Sequence, residues 1–151
     1  MDFPTILPFN WRIYSQENSS YISAGFITYI PLEKGFVSTQ KNDCQEATIK
    51  IYEAKADPNN AVLYLKVGLA NNPNYKLSLN FDYLSNTNLL GYNNDGDILK
   101  VHVLKWSENW DSFSGHVTLL SGGVQWGLQA NGSKLFCVKG GASNTFHFQH
   151  C

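Results

Sequence analysis

The sequence predicts an all-β fold, an antiparallel two-sheet β-sandwich or jelly roll, and three observations carry this prediction. Apolar residues recur at every second position, which is the period of a β-strand. Short clusters of Asn, Asp, Gly and Pro separate these runs at the spacing that is typical of β-sandwiches. Helical spacing of apolar residues is nearly absent. We therefore expect little or no helix.

The clearest predicted strand covers residues 75–84, where Leu77 and Leu79 fall on one face and polar side chains fall on the other. Residues 62–69 repeat this alternation. The Asn-Asn-Pro-Asn segment at residues 71–74 has the composition of a turn. These two strands are therefore expected to form a hairpin.

Turn sequences predict the pairing of the later strands. Asp95-Gly96 is the strongest hairpin signal in the chain, because both residues tolerate the positive φ of a type I′ turn. It is expected to join strands at residues 89–92 and 98–106. Residues 116–150 are expected to continue as a meander of four strands with tight turns. With weaker runs included, we expect about nine to eleven strands.

The length and composition indicate a single domain. The chain has 151 residues, which fits one domain, and no linker divides it. We expect one β-sandwich domain over residues 1–151. Residues 1–9 are apolar and interrupted by Pro4 and Pro8, which suggests an extended arm that docks on a neighbour; the alternative is a terminus that folds back over its own sheet.

The charge pattern excludes several classes of partner. The formal net charge is −1 and only 15% of the residues are charged, so we expect no nucleic-acid binding. No apolar run approaches the roughly 18 residues of a membrane helix, so we expect no membrane insertion. The N-terminus lacks the features of a signal peptide. The expected location is a virion or an extracellular surface, reached without a cleaved signal peptide, or the cytoplasm.

The least strand-like aromatic stretch, residues 105–113, is the first candidate site. Loops at the ends of sheets often carry function. A sugar offers hydroxyls that Asn and Asp can hydrogen-bond, and an apolar C–H face that stacks on an indole ring. The loop supplies both in Trp106, Asn109, Trp110 and Asp111. The alternative is that both tryptophans plug the end of the sandwich, since large rings near strand ends are usually core.

A second polar loop begins at Tyr92 and Asn93, which we include among the candidate ligand-binding residues. Asn93, Asp95 and Asp97 stand at alternate positions, as in a calcium loop. The glycine is misplaced for that motif and the distant Glu is missing. Turn chemistry explains this segment, so no metal is expected there.

The C-terminal histidines are not expected to bind a metal either. His147 and His150 are three positions apart and project to opposite faces of a strand. If residues 139 and 145 pair across the last loop, Cys137 lies opposite His147, but a third ligand is missing. The sequence predicts no metal and no cofactor.

The motifs for nucleophilic, metal-assisted and phosphate chemistry are absent from the sequence, which favours binding over catalysis. The charge-poor composition rich in Asn, Tyr and Trp resembles that of small lectins without signal peptides and of the receptor-binding heads of viral and phage fibres. This resemblance implies a non-enzymatic domain that recognises a glycan or glycoprotein receptor, as a homo-oligomer. The alternative is a structural virion component, such as a capsid-decorating or tail protein.

Overall fold

A computed structural model describes residues 10–22, 39–40, 49–70, 73–82, 87–131 and 134–150. The N-terminal arm predicted at residues 1–9 lies outside this part of the chain. Within it, no helix is long and apolar enough to cross a membrane.

The described residues form a nearly all-β structure, which confirms the predicted class. They contain 12 strands and one short 3-10 turn at Pro58–Asn60. Ten strands have six residues or more and two are shorter, against the predicted nine to eleven. The strands are β1 (Asn10–Ser15), β2 (Ser20–Ile22), β3 (Thr39–Gln40), β4 (Ile49–Asp57), β5 (Val62–Leu69), β6 (Lys76–Asp82), β7 (Thr87–Asn93), β8 (Ile98–Trp106), β9 (Ser112–Ser121), β10 (Val124–Asn131), β11 (Lys134–Lys139) and β12 (Thr145–His150).

All these strands belong to one antiparallel hydrogen-bonded network, in the order β10-β11-β7-β6-β5-β8-β9-β12-β1-β2-β3, with β4 pairing β1 and β5. Strand β9 pairs with β8, with β12 through its first half and with β10 through its second half. Strand β5 likewise pairs with β4, β6 and β8. Strand β1 also has three partners, β2, β4 and β12, so these three strands connect the parts of the network.

The core follows the alternation that the sequence predicts. In β5 the side chains of Leu63, Leu65, Val67 and Leu69 are all buried. In β12 the buried rings of Phe146 and Phe148 alternate with more exposed polar residues. Burying such side chains stabilises the fold by roughly 1.5–3 kcal/mol each. The apolar period therefore identifies the inward face of each strand.

The hairpin predicted between residues 62–69 and 75–84 forms only at its closed end. Strands β5 and β6 pair at Gly68 and Lys76, and the Leu69 N–H donates to the Tyr75 carbonyl over 2.9 Å. Beyond this point β6 pairs with β7. Residues 71 and 72 of the predicted turn lie outside the described residues. The alternation could not show that β6 leaves β5.

The hairpin predicted at Asp95-Gly96 is wrong, because β7 pairs with β6 and β11 while β8 pairs with β5 and β9. Gly96 does have a positive φ of 70°. The Asp97 N–H donates to the Leu77 carbonyl over 2.9 Å, and the Asp97 carboxylate accepts the Leu79 N–H over 2.8 Å. Asp97 is thus hydrogen-bonded to β6. The next strand, β8, pairs with β5 and β9 and not with β7.

The meander predicted for the C-terminal strands is wrong at its last step. Cys137 lies opposite Leu128 of β10, and His147 lies opposite Ser114 of β9, so residues 139 and 145 do not pair. The last loop crosses β10, where the Asn144 N–H donates to the Leu128 carbonyl over 2.9 Å. Strand β12 therefore lies beyond β10 along the same edge of β9 and pairs with β1 on its other side.

Gly127 makes this crossing sterically feasible. A Cβ atom at this position would stand 2.8 Å from the carbonyl carbon of Ala142 and would overlap the carbonyl oxygens of Gly141 and Ala142. We expect Gly127→Ala to lower the free energy of unfolding by about 1–3 kcal/mol, the usual cost of overpacking, measured by urea denaturation. Gln125→Ala, on the same strand and exposed, is the control. Equal stability of the two variants would contradict the crossing.

Candidate functional site

The first candidate loop is a short connection between β8 and β9, closed by Ser107. The Ser107 N–H donates to the Ser112 carbonyl over 2.8 Å, and the Ser107 hydroxyl accepts the Ser112 N–H over 3.1 Å. The Ser107 carbonyl accepts the Trp110 N–H over 3.1 Å. These bonds fix the loop and place Trp106 at the end of β8.

A column of aromatic rings runs from this loop into the core. The Trp106 and Trp110 rings stack with their centroids 6.0 Å apart and 12° between their planes. Trp110 packs against Phe113 at 5.8 Å. Phe113 in turn stacks on Phe148 at 4.6 Å and meets the edge of Trp11 at 5.3 Å. We call these five rings the aromatic column.

Burial differs sharply along the aromatic column. Trp106 is 45% exposed, while Trp110 is only 5% exposed. Trp110 also has a positive φ of 59°, a conformation that non-glycine residues rarely adopt. Trp110 is therefore buried at the end of the fold, as the alternative interpretation of the sequence expected of both tryptophans, whereas Trp106 is exposed and stacks on it.

Asn109 and Asp111 are both exposed on the loop. The Asp111 carbonyl accepts the His150 N–H over 2.8 Å, which ties the loop to the end of β12. Neither residue lines the concavity that lies beside Trp106 along β8, β9 and β12. Tyr92 and Asn93 lie opposite Leu77 and Lys76 at the end of β7; their side chains are outside the described residues.

A concavity of about 310 Å³ lies beside Trp106, where β8, β9 and β12 run side by side. The pairing of Lys105 with Ser114, and of Ser114 with His147, places these three side chains in a row across the sheet. Ser112 and Gln149 pair two positions farther along the strands, on the same face as Ser114 and His147. The residues that line the concavity are Lys105, Trp106, Ser107, Ser112, Phe113, Ser114, His147, Phe148 and Gln149.

The row of side chains continues beyond the concavity onto β1 and β2. His147 lies opposite Tyr14, and Tyr14 lies opposite Tyr21. The ring centroids of Tyr14 and His147 are 6.1 Å apart, and those of Tyr14 and Tyr21 are 5.0 Å apart. The His147 Nε2 lies 3.0 Å from the Gln16 Oε1. This face of the sheet is therefore polar and aromatic, with hydrogen-bonding groups between the rings.

The strand pairing explains why sequence reasoning missed most of this site. Trp106 was predicted, but Lys105, Ser112, Ser114, His147 and Gln149 were not included among the ligand-binding residues. His147 and Gln149 reach the concavity only because β12 pairs with β9 and not with β11. The alternation of polar residues along β12 did indicate which side chains face outward.

The described residues offer little for metal-assisted or thiol chemistry. Among them, no group of three or more His, Cys, Asp or Glu side chains could hold a metal ion. Burial, with a contribution from the Asp97 carboxylate, raises the pKa of the Cys137 thiol to about 12. A thiol with so high a pKa carries almost no nucleophilic thiolate at neutral pH.

The inertness of Cys137 can be tested in a variant in which Cys44 and Cys151 are serine. We expect a thiol reagent at pH 8 to label Cys137 only after denaturation. Because the unfolded thiol ionises near its ordinary value of 9.0, stability should fall as pH rises from there toward about 12, by about 1.4 kcal/mol per pH unit. Cys137→Ala in the same background should lack this part of the alkaline loss. Rapid labelling of the folded variant would contradict the buried thiol.

Comparison of the chain with protein-family models, with curated proteins and with solved structures finds no match. The fold and the site therefore define this protein in physical terms, as an antiparallel all-β protein with an exposed indole beside a polar concavity.

Proposed function

We propose that the chain is a non-enzymatic recognition domain that binds a glycan or a glycoprotein receptor. The observation that carries the proposal is the Trp106 ring, 45% exposed and stacked on the buried Trp110. A ring held on such a support loses little conformational freedom when a ligand stacks on it. The apolar C–H face of a sugar is a suitable partner for that ring.

The polar groups around Trp106 suit the rest of a sugar. Ser112 and Gln149 line the concavity with hydroxyl and amide groups, and each can both donate and accept a hydrogen bond. Asn109 and Asp111 stand exposed on the adjoining loop, within the same segment as Trp106. A mixture of one ring and several convergent polar groups is typical of small-ligand sites.

Shallow sugar sites are individually weak, so we also propose that the protein acts as a homo-oligomer, which would raise avidity without new contacts. The proposed location is a virion or an extracellular surface. The alternative location is the cytoplasm, where the protein would act as a lectin.

A glycan array tests the proposal. The protein should bind a limited set of glycans, and Trp106→Ala should lose that binding while Val138→Ala, which alters another exposed apolar side chain, should keep it. Silence across a broad array would overturn the proposal, as would binding that Trp106→Ala leaves intact.

A structural virion component is the second candidate, and one observation favours it. Leu104 is 53% exposed, two positions from the exposed Trp106, and exposed apolar side chains of this kind often anchor protein–protein interfaces. Light scattering separates this candidate from a free monomer. A lone monomer at high concentration would count against both this role and the homo-oligomer.

We further propose that the network of strands is layered as a two-sheet sandwich or jelly roll. Strands that take part in both sheets at a corner are known in sandwiches. The strands with three partners, β1, β5 and β9, would be the shared strands here.

A further inference from the structure

We infer that the concavity beside Trp106 selects an anionic saccharide, one that carries a carboxylate or a sulfate. This inference rests on the proposed function, because it concerns the ligand of the same site. It depends on three features of the concavity: the placement of Lys105, the local balance of charge and the donors that surround Lys105.

A β-bulge places Lys105 in the concavity. The register between β8 and β9 shifts between Val103 and Lys105, so that Lys105 lies opposite Ser114 and Trp106 lies opposite Phe113. In a regular pairing Leu104 would face Ser114 and Lys105 would face Phe113. The single extra residue thus places a cation among the outward polar groups and joins Trp106 to the aromatic column. Bulges often re-aim side chains in this way near functional sites.

The charges around the concavity favour an anion. Lys105 lines it, and none of the residues that line it is a carboxylate. This contrasts with the whole chain, which has a formal net charge of −1. The lining itself therefore carries a positive charge at Lys105, while the carboxylates of Glu108 and Asp111 stand exposed on the adjoining loop outside it.

The neighbours of Lys105 supply hydrogen bonds for the same ligand. The hydroxyl of Ser112 and the amide of Gln149 can donate to the oxygens of an anionic group. The His147 Nε2 lies 3.0 Å from the Gln16 Oε1, and a histidine ring nitrogen can donate to or accept from a ligand hydroxyl according to its tautomer. A volume of about 310 Å³ is at the lower end of the range that small-ligand sites occupy.

The test is an array on which each anionic glycan is printed beside its neutral parent, including 3′-sialyllactose and 3′-sulfolactose beside lactose. The sialylated and sulfated arms distinguish a carboxylate from a sulfate. We expect the anionic member of a pair to bind more strongly, and its binding to weaken at high salt. Lys105→Gln should lower affinity for the anionic glycan at least about tenfold, as for a lost charged hydrogen bond.

Two matched variants make the result specific to Lys105. Lys105→Arg should retain the preference because it keeps the charge. Lys100→Gln removes a charge from the same strand outside the concavity and should change affinity little. Equal binding of anionic and neutral partners, with no loss in Lys105→Gln, would overturn this inference and leave the proposed function standing. Absence of binding to every glycan would overturn both.

Discussion

Replacing Trp110 by alanine should lower the free energy of unfolding by about 3–5 kcal/mol, the usual cost of removing a buried tryptophan. Trp110 is 5% exposed and contacts both Trp106 and Phe113 in the aromatic column. The surrounding strands are held by hydrogen bonds and can collapse only partly into the space. Urea denaturation measures the change, and Trp106→Ala serves as a control with an expected loss of about 1 kcal/mol or less.

A second substitution separates the ring of Trp110 from its backbone. The φ of 59° costs alanine roughly 1 kcal/mol, whereas glycine adopts it freely. Trp110→Gly should therefore be no less stable than Trp110→Ala despite its smaller side chain. If both variants unfold within about 1 kcal/mol of the native protein, then the aromatic column does not stabilise the fold in the way that its burial indicates.

Replacing Trp106 by alanine should lower affinity for the bound glycan by at least about tenfold, the effect of truncating an anchor residue at an interface. Trp106 supplies the exposed face of the aromatic column, and no other tryptophan of the described residues stands beside the concavity. The stability of Trp106→Ala should differ little from that of the native protein, because the Trp106 ring is 45% exposed. Titration calorimetry or surface plasmon resonance measures the affinity.

The controls for Trp106 use its neighbours. Trp106→Phe keeps a smaller aromatic face and should retain part of the affinity, whereas Leu104→Ala removes an even more exposed apolar side chain (53%) and should have little effect. If Leu104→Ala weakens binding as much as Trp106→Ala does, then the ligand is held by a broad apolar contact and not by stacking on Trp106. That result would favour the structural virion component.

Local patterns predicted the strands well because side-chain alternation is a property of each strand by itself. The inward faces of β5 and β12 followed directly from their apolar period. The partners of the strands were harder to predict, because pairing depends on contacts that no local pattern encodes. Asp95-Gly96 has suitable hairpin chemistry, yet the hydrogen bonds of Asp97 to Leu77 and Leu79 bind the turn to β6.

In the candidate site, too, the local sequence indicated some features, while those that depend on strand pairing could not be predicted. The sequence indicated Trp106 through its loop position, but it could not distinguish the exposed Trp106 from the buried Trp110. Lys105 begins the candidate stretch 105–113 but was not among the expected ligand-binding residues; the bulge at Val103 and Lys105 gives it a face that simple alternation does not assign. His147 was considered for a metal in the wrong register, opposite Cys137. A one-residue shift or a wrong partner changes the composition of a site completely.

The most direct measurement for the whole account is an NMR titration of the isotopically labelled protein with the strongest glycan of the array and its neutral or anionic counterpart. The account predicts that the Trp106 indole N–H and the amides of Lys105, Ser112 and His147 shift together, while the amide of the remote Cys137 does not. Shifts that cluster on another surface, or no shifts at millimolar glycan, would contradict recognition at Trp106.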